Sequence, residues 1–165
     1  MYKQYPRILH SVPKQDPRIL PSVPKQDSPS ANSLSDEGCD SDWSPFENHC
    51  YLVGPTAKTW QDAQNYCAFL GANLVKIESN VETEFVVHKL DLIGRKKAWI
   101  GMKAALDWYD HSNPEYQNWA SGEPDGQATN PCVWMYGNDK PYSGLWNADT
   151  CDSDSDIGVV CEKQA

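Results

Sequence analysis

Residues 118–136 read NWASGEPDGQATNPCVWMY, and the fold turns on how this stretch is taken. Two carboxylates, Glu123 and Asp125, flank one proline, and a cysteine and a β-rich run follow closely. Ser-Gly, Pro and Asp-Gly are all turn vocabulary, so one reading is a plain surface turn. The other is a metal site whose oxygen ligands are aimed by an unusual peptide bond at Pro124. The flanking chain decides between them.

Outward from this stretch, AWIGM (98–102), CVWMY (132–136) and GVVCE (158–162) are short runs rich in β-branched and aromatic residues, and they predict strands. From about 103 to 131 the chain is rich in Gly, Pro, Asn and Asp, and it is longer than an ordinary connection. Long loops in a compact domain are usually functional, because a rigid scaffold holds them still. Upstream, KTWQDAQNYCAFLGANL (58–74) predicts a helix with Thr59 as N-cap and Asp62 at the third position. Trp60, Ala63, Cys67 and Leu70 share a face, and Gly71 stops the helix. ESNVETEFVVHKL (78–90) predicts a second helix, opened by a Ser79–Glu82 capping box, with Val81, Phe85 and His88 on one face. His88 reads as a surface or half-buried histidine rather than a ligand. The acidic run DSDSD (152–156) resembles the start of an EF-hand loop. It has Ile157 where that loop needs Gly and Lys163 where it needs an acid, so a solvated loop is expected.

The first 38 residues have a different character. Residues 6–16 (PRILHSVPKQD) and 17–27 (PRILPSVPKQD) form a tandem repeat that differs only at His10 and Pro21. Its prolines forbid a helix and exclude a central strand, and two copies are too few for a solenoid. The expectation for 1–38 is a disordered, proline-rich tail: a spacer, a docking arm or a processed peptide. Residues 39–165 form the folded domain.

Six cysteines, at 39, 50, 67, 132, 151 and 161, show no Cys-x-x-Cys spacing. An even number of dispersed cysteines implies a disulfide framework, hence an oxidising and extracellular setting. No signal peptide is visible, since Met1–Ile8 is polar and no apolar h-region follows; no run reaches the roughly 18–20 apolar residues of a membrane span. Seven Trp, eight Tyr and three Phe supply core material. The net charge is −9; residues 1–27 carry five basic and two acidic side chains, which leaves −12 on the remainder. A domain this acidic repels nucleic acid and anionic lipid and suits cations, or neutral ligands held through cations.

Six pieces in order carry a family resemblance: TWQDAQNYC (59–67), WIGM (99–102), NWASGEPD (118–125), CVWMY (132–136), LWNADTC (145–151) and VVCEK (159–163). Together they resemble the C-type lectin-like domain over residues 39–163. The resemblance implies an α+β fold in which two helices flank small antiparallel sheets with a long irregular ligand-binding loop. Six cysteines allow 15 pairings; the family's long form implies Cys39–Cys50, Cys67–Cys161 and Cys132–Cys151. The second closes a loop of about 95 residues, worth up to ~4–5 kcal/mol by chain-entropy reasoning.

In calcium-binding members of that family a Glu-Pro-Asn or Gln-Pro-Asp triplet holds the ion, and the proline is cis. Calcium takes 6–8 hard oxygens at roughly 2.3–2.6 Å, some of which sugar hydroxyls can supply. Carried across, the metal- and sugar-binding set is Glu123, Asp125, Asn130 and Asn147, with Pro124 cis. Ala148 stands where the family has a further Asp, and Asp149 is the weaker substitute, since side chains alternate along a strand. Two side-chain charges then replace the usual three, which implies weaker binding. Glu-Pro-Asp is a hybrid of the mannose-type and galactose-type triplets, and no Trp follows it to stack on a sugar.

The functional expectation is an extracellular carbohydrate-binding lectin, calcium-assisted, with glycans or glycoproteins as partners and oligomerisation possible. The alternative is a calcium-independent lectin-like domain on a protein, matrix or mineral surface. An enzyme is disfavoured: there is no His-Glu-x-x-His or Gly-x-Ser-x-Gly, and His10, His49, His88 and His111 have no nucleophile beside them.

Overall fold

The computed structural model describes residues 38–103 and 106–165, with the side chains of residues 154 and 155 excepted. The repeat and the rest of the 1–37 segment lie outside the described residues. In chain order the elements are β1 (Ser44–Phe46), β2 (His49–Thr59), α1 (Trp60–Phe69), β3 (Asn73–Leu74), α2 (Asn80–Leu92), β4 (Lys97–Lys103), β5 (Asp107–Trp108), β6 (Cys132–Tyr136), β7 (Trp146–Asp149) and β8 (Asp152–Gln164). Among the described residues no helix is long and apolar enough to cross a membrane.

Both helices start where their caps require. The Thr59 hydroxyl accepts from the Asp62 amide at 3.0 Å, and the Ser79 hydroxyl accepts from the Glu82 amide at 3.1 Å. α1 buries Trp60, Ala63 and Cys67, while Leu70 is its half-buried C-cap. The buried face of α2 differs in part from the expected Val81–Phe85–His88 stripe. Phe85 is half-buried and packs on the core, and His88 is exposed, in line with its reading as a surface residue, but Val81 is 61% exposed, and Glu82, Thr83, Val86 and Leu90 face inward. Polar partners explain the rotation. The Tyr51 hydroxyl donates to Glu82 Oε1 at 2.8 Å, the Glu78 amide donates to Oε2 at 2.8 Å, and the Thr83 and Tyr116 hydroxyls lie 3.1 Å apart. A buried polar group is tolerated when it is bonded.

The strands run β1-β2-β8-β4-β6-β7, with β3 against β8 and β5 against β4. Both halves are antiparallel, and a parallel β4–β8 contact (Ala98↔Gly158, Trp99↔Val159) joins them into one mixed sheet. Two expectations change here. The acidic 152–156 run is strand rather than loop, because its backbone pairs with the end of β2 (Ala57↔Ile157, Thr59↔Asp152) while Asp152 and Asp156 stay exposed. The presumed loop from 103 also holds β5, which folds back on β4 through Met102↔Trp108.

Disulfides join Cys39–Cys50, Cys67–Cys161 and Cys132–Cys151. Cys67–Cys161 ties α1 to β8, and Cys132–Cys151 ties the start of β6 to the end of β7. Trp99 and Trp146 are fully buried on either side of the sheet core. Trp146 is ringed edge-on by Trp108, Tyr116 and Trp119, with centroids 5.5–5.8 Å away, and its indole nitrogen has no hydrogen-bond partner among the described residues. Gly101 in β4 is required by close approach. A Cβ there would stand 2.7 Å from the Leu74 carbonyl oxygen and 2.8 Å from the Tyr109 ring.

Candidate functional site

The 109–131 segment is irregular, yet its central part is fastened to β7. Trp146 donates its amide to the Asn118 carbonyl at 2.7 Å, and Ala120 donates to the Trp146 carbonyl at 2.9 Å. The Asn118 side chain adds a bond to the Gly144 carbonyl at 2.8 Å. This short ladder sets the next residues, Gly-Glu-Pro-Asp-Gly, over the outer end of β7. Gly122 and Gly126 bracket the triplet at φ +88° and +73°, values that side chains disfavour, and the Glu123–Pro124 peptide bond is cis. A second cis bond, Lys140–Pro141, lies in the β6–β7 turn and had no signal beyond the proline itself.

Glu123 is half-buried, and its Oε2 accepts from the Ala148 amide at 3.2 Å. Asp125 is exposed and engaged on both oxygens by one residue: the Gln127 amide donates to Oδ1 at 2.9 Å and the Gln127 side chain donates to Oδ2 at 2.5 Å. Gln127 escapes the motif reading, although an Asp two residues ahead of a bonded amide is the ordinary sign of an Asx turn. Pro124, Asp125 and Ala148 together line a hollow of about 240 Å³, with Leu106, Ala128 and Pro131 as its apolar wall. None of the remaining expected ligands lines this hollow. Asn130 is exposed at φ +53°, its carbonyl oxygen 3.4 Å from Cys151 Sγ. Asn147 is half-buried opposite Trp134, on the face of β7 away from Trp146 and Ala148. Asp149 is exposed and takes the Thr150 amide at 2.7 Å.

The donors are all hard oxygens, the chemistry that suits calcium. Their number is small. Among the described residues no three His, Cys, Asp or Glu side chains converge on a metal position. That includes α2, where Glu84 stands four residues before His88. The expected donor set amounts to two carboxylates and two amides, with an alanine methyl in the place of a third acid and Gln127 bound to both oxygens of Asp125.

The strongly shifted groups lie elsewhere. Glu82 and Glu162, 5% and 8% exposed, are each pushed up to about 7, chiefly by burial and against the pull of the hydrogen bonds they accept. The Ser112 hydroxyl and amide hold the Asp110 carboxyl down at about 2.

Residues 56–163 match the Lectin C-type domain family. C-type lectin domain family 4 member G of Mus musculus is 33% identical over 138 residues, covering 78% of this chain and 44% of that protein. The chain therefore spans less than half of that relative's length. The structure of the cow C-type carbohydrate-recognition domain of CD23, in the presence of GlcNAc2Man3 oligosaccharide, superposes with TM-score 0.65 at 35% identity, covering 78% of this chain and 97% of that one. A calcium-independent type II antifreeze protein also superposes with TM-score 0.65, at 25% identity over 78% of this chain and 95% of its own.

Proposed function

We propose, from the premise that the chain belongs to the C-type lectin family, that it is an extracellular carbohydrate-binding lectin, weakly assisted by calcium, whose ligand rim is the Glu123–Pro124–Asp125 loop. The observation that carries the reading is the seating of Glu123 on the Ala148 amide, with Pro124, Asp125 and Ala148 around one hollow. Glu123, Asp125, Asn130 and Asn147 would hold the ion, and calcium when bound supplies a positive centre for paired sugar hydroxyls. The chain's own residues do the rest. The two carboxylates accept hydrogen bonds from the sugar hydroxyls, and the two amides donate to hydroxyl oxygens and orient the ring. Asp125 turns to a ligand only by giving up Gln127, which lowers affinity. Binding, not catalysis, is the activity, and the partners are glycans or glycoproteins outside the cell.

A second reading has an observation of its own. Ala148 and the Gln127 clip both favour a rim that works without calcium, on a protein, matrix or mineral surface. The calcium-independent antifreeze protein of the same fold supports that possibility. A glycan array run with calcium and again with chelator separates the two. Calcium-dependent spots that vanish in Asp125→Ala, with the melting temperature unchanged, support the lectin reading. Spots retained in chelator discard the calcium mechanism, and an empty array favours the second reading.

A further inference from the structure

The hollow at Asp125, about 240 Å³, falls below the roughly 300–1,000 Å³ of ordinary small-molecule sites, so it suits one face of one sugar. A larger cleft of about 560 Å³ lies against α1, walled by Trp60, Gln61 and Gln64 of the helix, Asn73 of β3, and Tyr109 and His111 after β5. A third hollow of about 310 Å³ adjoins both: it shares Asp107 with the large cleft, and Leu106 and Pro124 with the small one. The three depressions thus follow one another from the Glu-Pro-Asp loop to the flank of α1.

We propose that this path is an extended groove for a neutral oligosaccharide of three or more residues, with a distal sugar held in the α1 cleft. Its proximal end rests on the lectin reading above; its distal end stands on the cleft itself. The distal wall is fixed in advance. Gln64 is held at both ends of its amide, donating to Asn73 Oδ1 at 3.1 Å and accepting from the Leu74 amide at 3.1 Å. Asn73 in turn neighbours the Tyr109 hydroxyl. The Tyr109 ring lies where a side chain at residue 101 would stand, a position open only because it is Gly. The Trp60 indole is locked by its bond to the Ile100 carbonyl at 2.7 Å. Groups ordered before binding lose little entropy on binding.

The charge in the cleft is balanced and free for use. Lys103 and Asp107 are register partners across β4 and β5, yet the Lys103 ammonium sits over the Trp60 ring at 4.5 Å. Neither forms an ion pair with another described residue. Asp110 is turned to Lys76 and Ser112, where its charge is paired. One cation, one carboxylate, fixed amides and aromatic edges match a polyol that offers donors, acceptors and C–H faces together. A charged ligand would leave Lys103 or Asp107 repelled.

The full chain is titrated calorimetrically, in calcium, with mannose and manno-oligosaccharides of two to six residues and with the same lengths of the GlcNAc series. Wild-type affinity in one series climbs by about tenfold between one and four residues. Gln61→Trp, an exposed position that fills the cleft, keeps the monosaccharide affinity and melting temperature and loses the climb. Lys103→Ala reduces the climb by about threefold with no effect on monosaccharides. A flat length series in the wild type, or a climb that survives Gln61→Trp, overturns the groove. Asp125→Ala tests the rim separately. If monosaccharides do not bind but long chains do, and Gln61→Trp abolishes them, the rim reading falls and the groove stands. If neither series binds at any length, both fall.

Discussion

Ala148→Asp tests the electrostatics of the rim directly. Ala148 is only 8% exposed, lines the hollow beside Asp125, and holds Glu123 through its amide. A carboxylate at this position would face two others across a small concavity. Two like charges roughly 5 Å apart at an effective dielectric near 20 repel by about 3 kcal/mol. Without calcium the variant should therefore lose about 3 kcal/mol of stability, or on the order of 10 °C in melting temperature for a domain of this size. With calcium the sign reverses: the formal site charge goes from −2 to −3, and affinity should rise at least several-fold. Thermal melts in chelator and in millimolar calcium, with a calcium titration of both proteins, read the two effects separately. A variant that melts with the wild type in chelator would show that residue 148 does not face the carboxylates. A variant destabilised in chelator but not rescued by calcium would show that the loop is a turn and not a metal site.

Three further outcomes follow from features outside the rim. Glu82 and Glu162 have folded-state values near 7, above the 4.5 of a free glutamate, so their stabilising protonation is complete below about pH 4.5 and is lost as pH rises through 7. Stability should fall from pH 5 to pH 8, by up to ~3 kcal/mol per group, with the melting temperature falling alongside it, and Glu82→Gln/Glu162→Gln should flatten that slope; a rise over this window refutes the assignment. Replacing Cys67 and Cys161 together by alanine opens a loop of 94 residues and should cost about 4–5 kcal/mol in denaturant melts, whereas a loss under 1 kcal/mol would refute the entropic account. Gly101→Ala should cost at least about 2 kcal/mol, because the new methyl meets the Leu74 backbone carbonyl, which has no rotamer to change; an unaltered melting curve contradicts that packing.

The parts of the fold governed by local chemistry are legible in the sequence. Thr59 and Ser79 announce both helix starts, Gly71 announces a stop, and the strand at 132–136 stands out by composition alone. What escapes is set by distant partners. Val81 reads as a core residue and Glu82 as a surface one until Tyr51, 31 positions earlier, supplies the hydroxyl that lets the carboxylate go inside. The 152–156 run looks like solvent-exposed loop because its side chains are acidic, but a strand edge needs only its backbone, and β2 provides the pairing. At the candidate site the Glu-Pro-Asp triplet is conspicuous and its seat is not. The Ala148 amide that holds Glu123 belongs to the main chain, which no motif encodes. The large cleft against α1 is invisible for a similar reason: its walls come from three segments between residues 60 and 111, and the helix pattern of the first says nothing of which others meet it.

The aromatic ring around Trp146 gives the domain a built-in optical gauge. Two indoles and a phenol meet a third indole edge-on at 5.5–5.8 Å, in a fixed asymmetric array, and such arrays dominate the near-ultraviolet circular dichroism of a folded protein. Trp119 belongs to the loop that carries Glu123, while Trp146 belongs to the strand that seats it, and a main-chain bridge joins the two residues. Any shift of the loop against the strand, whether from calcium, sugar or acid, changes the angle between these chromophores before it changes any secondary structure. The loop's seating is thus written in the aromatic spectrum of the unlabelled protein.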